Sequence, residues 1–360
     1  MKSKINVMTL SIVLFSLLIT NNIPAQTKDS SENNLHRTIQ VSFLPCIGTG
    51  GFLSDQVTCD LSLNILAGYV KEVRSAEFGG LFNVVRENAG KCQMAGLGNM
   101  VGGTSSGLQW AGIINLSKKL KGIQIAGNIN LAGEASGMQI AGLLNNTKRN
   151  AELQIAGLVN NASGTSGVQI SGLVNHTSFL KGIQIGLVNI SDSCQGIPIG
   201  LISLVKNGYH KIEISGDEMF YTNVAFRSGV KKFHSIIIAG IRPDNFSSPL
   251  WTYGCGAGSS FSLGEKTLFD IDATLQNVIK EDHVGNNYLG KLAVGVDHQL
   301  KDKTSIYIGI SYNFLAADTK YGKYAENFSS IAPYHFTDNT WHNGYNLKTW
   351  AGIKVGLRFL

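Results

Sequence analysis

Few groups in this 360-residue chain are placed to do chemistry. GTGG (48–51) and GCGAG (254–258) have the glycine density of phosphate-cradling loops. Such a loop works only when a helix follows and turns its N-terminal amides toward the phosphates, and neither segment is followed by a helical period. Asp217-Glu218 and Asp270/Asp272 pair carboxylates as a general acid and base would need. They lie in turn-like and strand-like stretches, where solvated or lumen-facing acids are expected. The eight histidines are scattered, and the five cysteines (Cys46, Cys59, Cys92, Cys194, Cys255) form no CxxC, so no zinc spacing arises. No GxSxG, HExxH or P-loop pattern occurs. The sequence predicts neither an enzyme nor a cofactor or metal site.

The remaining chemistry is cationic. Lys118, Lys119, Lys121, Lys148, Arg149 and Lys181 fall in short segments that recur at a fixed interval. A cluster of this kind attracts polyanions, and lipopolysaccharide phosphates or acidic glycans fit that description. Nucleic acid does not, because interleaved stacking aromatics are missing.

The elements that must position these cations are repeats. CQMAGLGN (92–99), LQWAGIIN (108–115), IQIAGNIN (123–130), MQIAGLLN (138–145), LQIAGLVN (153–160), VQISGLVN (168–175) and IQIGLVN (183–189) follow one another at a step of 16 and then 15 residues. EFGGLFN (77–83) and IPIGLIS (197–203) are degenerate copies. Alternation with period 2 marks each unit as a strand: Val168, Ile170, Gly172 and Val174 are expected on one face, and Gln169, Ser171, Leu173 and Asn175 on the other. Between units lie residues rich in Gly, Ser, Asn and Lys, which form turns. Alternate turns differ in charge. Arg86, Lys91, Lys206 and the six cations above all belong to one set, and the other set has none. Antiparallel strands would produce this by sending successive turns to opposite rims.

Two architectures accommodate such a unit. In a membrane barrel, nine strand residues tilted by 35–45° cover about 21–24 Å, close to the ~25 Å apolar band of outer-membrane barrels. The apolar face would then meet lipid and the Gln and Asn would face inward. In a β-solenoid the units instead stack on one another. A 15-residue coil would need buried residues on its return side, and NNTKRNAE (145–152) offers few.

The flanks read as barrel wall. Of the 31 aromatic residues, 23 lie in 209–360, within runs such as TLFDIDATLQ (267–276) and TSIYIGISYNF (304–314). The chain ends in the alternating strand TWAGIKVGLRFL (349–360). Longer loops are expected at 277–288 and 315–347. With IQVSFLP (39–45) and DLSLNILAGYV (60–70) as first strands, the reading is all-β: an antiparallel outer-membrane β-barrel of roughly 18 strands that includes the 15-residue repeat. The alternative is a smaller barrel with a β-solenoid repeat region. The segments expected are a signal peptide at 1–25, a linker at 26–38, barrel strands at 39–84, repeats at 85–208 and barrel strands at 209–360. Lys2 and Lys4 before an apolar run, with Pro24-Ala25 after it, have the form of an export signal.

The repeat, preceded by SLNILAGY (62–69) and EFGGLFN, resembles that of the surface repeat-containing outer-membrane proteins of Gram-negative bacteria. The resemblance covers roughly residues 38–208 and implies an envelope location, with outer-membrane lipid as the surrounding phase. It brings no activity and no functional residues. The expected role is that of a structural or passive-channel surface protein, or else of an adhesin-like or polyanion-binding solenoid on a small barrel.

Overall fold

The computed structural model describes residues 35–243, 249–280, 287–318, 334–341 and 344–359. The export segment 1–25 and most of the 315–347 loop lie outside them.

Each repeat bends at its glycine. Ile123–Ala126 is one short strand, Gly127 and Asn128 form a corner, and the chain resumes as a strand at Ile129. One unit therefore closes a coil of about 15 residues, and identical positions of successive coils stack in parallel register. Gln124 lies opposite Gln139, and Asn130 opposite Asn145. The corner requires glycine because a Cβ on Gly142 would stand 2.0 Å from the carbonyl oxygen of Gly127 below it.

The coil interior is polar around its corner, where the amides lie, and apolar toward the turns, where Val85, Val101, Leu120 and Leu180 are buried. Every Gln and Asn of the motif is buried, beside Ala, Ser, Thr and Leu. The amides form two ladders of opposite polarity. Each Gln donates to its predecessor, as in Gln139 Nε2 to Gln124 Oε1 at 2.8 Å. Each Asn donates to its successor, as in Asn130 Nδ2 to Asn145 Oδ1 at 3.0 Å, and gives its second proton to a main-chain carbonyl. Only parallel in-register stacking lets identical amides satisfy one another, and a buried amide left unpaired costs about 1–3 kcal/mol. The apolar residues of the motif point outward.

Both ladders converge on Glu77, which accepts from Gln93 Nε2 and Asn64 Nδ2 at 2.9 Å each. A carboxylate suits this point because two donors meet there. Burial pushes its carboxyl up to about 7, against the lowering effect of those bonds. A raised carboxyl stabilises the fold in its protonated form. This contribution is complete below pH 4.5 and lost as the pH rises through 7, about 3 kcal/mol in all. Urea midpoints of the full chain at pH 4.5 and 8 will show this loss in the native sequence, and Glu77→Gln will abolish that component. The same slope in both proteins would mean that Glu77 is hydrated. At the other end Pro198 replaces the ladder Gln, and Gln184 Oε1 is left without a partner.

Several expectations are corrected here. The repeat is not antiparallel barrel wall: the glycine corner folds each nine-residue unit back, and the strands pair in parallel. Residues 39–84 do not start the barrel. Cys59 pairs with Val73 and Gly68 with Asn83 in the same parallel sheet, because these segments deliver Asn64 and Glu77 to the ladders. Leu173 does not share a face with Gln169 and Asn175. It follows the bend and is exposed. The return side of the coil is buried by small residues, Thr147 and Ala151. IQIGLVN (183–189) is one residue shorter than its fellows, which by alternation alone would turn Asn189 to the opposite face; the coil shortens at its corner instead and keeps Asn189 in the ladder, 3.0 Å from Asn175.

Residues 209–359 form a second sheet. Eight antiparallel strands run from Tyr209–Asp217 to Tyr345–Phe359, and the first pairs with the last, closing a barrel. The count is eight rather than roughly 18, since the repeats supply none of its wall. GCGAG lies within the strand Leu250–Ser262, where a Cβ on Gly254 or Gly256 would meet main-chain oxygen at 2.1–2.2 Å.

The two sheets meet where the last coil ends. Ser203 N donates to Ser228 Oγ at 3.2 Å, and Ser235 Oγ donates to the Gly200 carbonyl at 2.6 Å. Barrel serines thus cap main-chain groups that a further coil would have satisfied.

Candidate functional site

The barrel is apolar outside, and its interior holds charged side chains toward the short-turn end and an apolar cluster toward the other. Ile310 and Ile353 are each 63% exposed on the wall, with Leu292, Ile308 and Leu275 alike outward. Arg227 and Arg358 point inward and are fully buried. Arg227 makes a bidentate contact with Asp272 (2.9 and 2.6 Å) and bonds Glu213. Arg358 donates to Glu213 at 2.7 Å and Asp297 at 3.1 Å, pairs with Asp270, and lies over the Tyr307 ring at 4.0 Å. Lys354 pairs with Glu213, and Lys211 with Asp297. Nearer the other end, Lys291 bonds Asp217, while Glu218 accepts from Asn313 and Trp350. Eight-stranded barrels have room for side chains and little else. Here those side chains form an ionic plug in the short-turn half, closed at the other end by a buried apolar cluster that includes Phe220, Leu289, Leu315 and Trp350, and the carboxylate pairs of the sequence belong to the charged contacts.

Sequence reasoning missed this network because its partners lie far apart in the chain, Arg358 and Glu213 by 145 residues. The one local trace was the parity of charge on strands, with Asp270 and Asp272 two apart and both inward.

The six candidate cations do not form a ring. All coil turns stack on one side of the solenoid, so the basic set alternates along its axis rather than between two rims. Lys118, Lys119, Lys148 and Arg149 border one open hollow of about 500 Å³ floored by Leu116 and Leu131. Glu134 stands among them, opposite Lys119 in register and 3.9 Å from Arg149. Lys181 borders a separate hollow with Glu134 and Glu152, and Lys121 lines neither. The acid of the intervening coil dilutes the cationic field, which leaves a mixed surface with an excess of positive charge.

The third surface is apolar. The residue after each corner glycine forms a ridge along the solenoid: Ile113, Leu143, Leu158, Leu173, Leu187 and Leu201 are all exposed, and Asn128 interrupts it once. Trp110, Ile123, Ile183 and Ile185 flank the ridge on the Gln-bearing side. Period-2 alternation separates Val168, Ile170 and Val174 from Gln169 and Asn175 as the coil does, but it groups Leu173 with the amides and assigns the polarity to a barrel wall. No protein-family model matches this chain, and a search of curated proteins finds no match to it.

Proposed function

We propose that this chain is an outer-membrane protein whose eight-stranded barrel is an anchor rather than a pore, and whose β-solenoid is a structural module carried by that anchor. The observation that supports this most directly is the polarity of the barrel, with large apolar side chains outward and a buried network of ion pairs inside, closed at one end by an apolar cluster. Water-facing barrels show the reverse. The export-type sequence at 1–25 and the resemblance of the repeat to outer-membrane surface repeats agree with it. A passive-channel role is disfavoured by the plug.

Orientation follows from the turns. The short connections at 231–232, 263–266 and 302–303 share one end of the barrel with the start of Tyr209–Asp217 and the end of Tyr345–Phe359. Short turns of outer-membrane barrels face the periplasm, so the solenoid belongs on the periplasmic side. On this reading its cations, with Lys231, Lys266 and Lys303 at the barrel mouth, face the phospholipid phosphates of the periplasmic leaflet, and the lipopolysaccharide of the opposite leaflet lies out of their reach.

Full-length chain without residues 1–25, refolded in detergent, will run as a compact band on gels and shift on boiling. In planar bilayers it will give no steady conductance. A soluble, detergent-independent monomer would refute the anchor, and reproducible open-channel currents would refute the plug.

A further inference from the structure

Along its corner the solenoid exposes the residue class that a water-surrounded fold buries, and buries amides that such a fold exposes. Its ridge is leucine and isoleucine coil after coil, while its amides are spent on one another inside. In lipid this is the arrangement that succeeds, because a segment there must satisfy its polar groups internally. The amide ladders do so along their length, up to Gln184, and Ser228 and Ser235 each cap one main-chain group of the last coil.

Those two serines also set the direction of the solenoid. Their strand neighbours Arg227 and His234 are buried in the lumen, so the alternation of the strands places Ser228 and Ser235 on the outer wall. Main-chain groups of a parallel coil point along the stacking axis. An axis that ends on the outer wall leaves the barrel sideways, close to the short-turn end. The apolar ridge is then continuous with the apolar wall of the barrel through Leu201 and Leu204 of the final coil, both exposed.

We infer that the solenoid lies along the bilayer that holds the barrel, with its apolar ridge among phospholipid acyl chains and its charged turn side toward headgroups and water. This rests on the reading of the barrel as membrane-spanning. At ~4.8 Å per coil, the five steps from Gln109 to Gln184 extend this contact over about 24 Å, and the amphipathic cross-section is that of an interfacial element. The ligand class is lipid, taken up by one face of the repeat rather than by a pocket.

Two tryptophans make the test. Trp110 is 54% exposed beside the ridge, and Trp251 is 50% exposed on the barrel wall. Full-length protein, Trp110→Phe and Trp251→Phe are reconstituted into phosphatidylcholine vesicles whose acyl chains carry bromine, and emission is compared with that in unbrominated vesicles. The difference between native protein and each variant isolates one indole. Loss of both contributions in brominated lipid is expected, with neither reached by aqueous iodide. Loss of the Trp251 signal alone, with Trp110 quenched by iodide, would put the solenoid in water and overturn the inference while the anchor stands. Trp110 sheltered from both quenchers would mean that a second copy covers the ridge, which also overturns it. Persistence of both signals in brominated lipid would remove the barrel reading itself.

Discussion

Replacing Arg358 with leucine will destabilise the barrel by about 3–5 kcal/mol, the cost of removing one partner from a buried ionic cluster. Its guanidinium is fully buried and faces Glu213, Asp270 and Asp297, with Asp272 at 3.9 Å. With Arg358 gone, Arg227, Lys211 and Lys354 must balance four carboxylates in a site that water reaches poorly. Lysine will not substitute, since a point charge cannot engage several acids in the fixed fork of a guanidinium. The residue also lies in the closing strand, where Arg358 pairs with both Glu213 and Ser305 across the seam. Urea titration in detergent, read by the boiling-dependent gel shift, gives the number. Adding Asp270→Asn to Arg358→Leu will recover part of the loss, because one of the stranded acids goes with it. A single variant as stable as the native protein would show that the lumen is hydrated and that the ion pairs contribute little.

Gly142→Val will disrupt the solenoid by a comparable amount, roughly 4 kcal/mol. The new Cβ would meet the Gly127 carbonyl at 2.0 Å, a main-chain atom that no rotamer change can move away. Relief requires the coils to separate, which lengthens the bond from Gly142 N to the Ala126 carbonyl and the Asn130–Asn145 amide contact. Overpacking alone costs about 1–3 kcal/mol, and each weakened bond adds about 1 kcal/mol. Leu143→Asn is the control. Leu143 is exposed at the same corner, and Asn128 already fills the equivalent place one coil earlier. Its effect on detergent-solubilised protein will stay within about 1 kcal/mol. Pulse proteolysis in urea, with the cleavage sites mapped, separates solenoid opening from barrel opening. Equal midpoints for the two variants would mean that the corner is looser than the stacking of Gly127, Gly142 and Gly157 indicates.

The sequence alone established that the chain is all-β, that a strand and turn recur every 15 residues, and that the residues flanking each Gln lie on the face opposite to it. It also placed aromatic-rich strands after residue 209. These are properties of single segments, carried by period-2 alternation and by turn-forming residues. Which strands become neighbours is a different kind of information. Alternation in MQIAGLLN (138–145) is the same whether the next copy lies parallel or antiparallel, so charge on alternate turns could be read as two rims when it is one side sampled coil by coil. Tertiary structure decided the matter through two facts invisible in any one unit: a corner that must be glycine because the main-chain carbonyl of the coil beneath leaves no room for a Cβ, and amides that pair with their own copies in register. The ionic plug was equally out of reach, because its partners are brought together only when the last strand closes on the first.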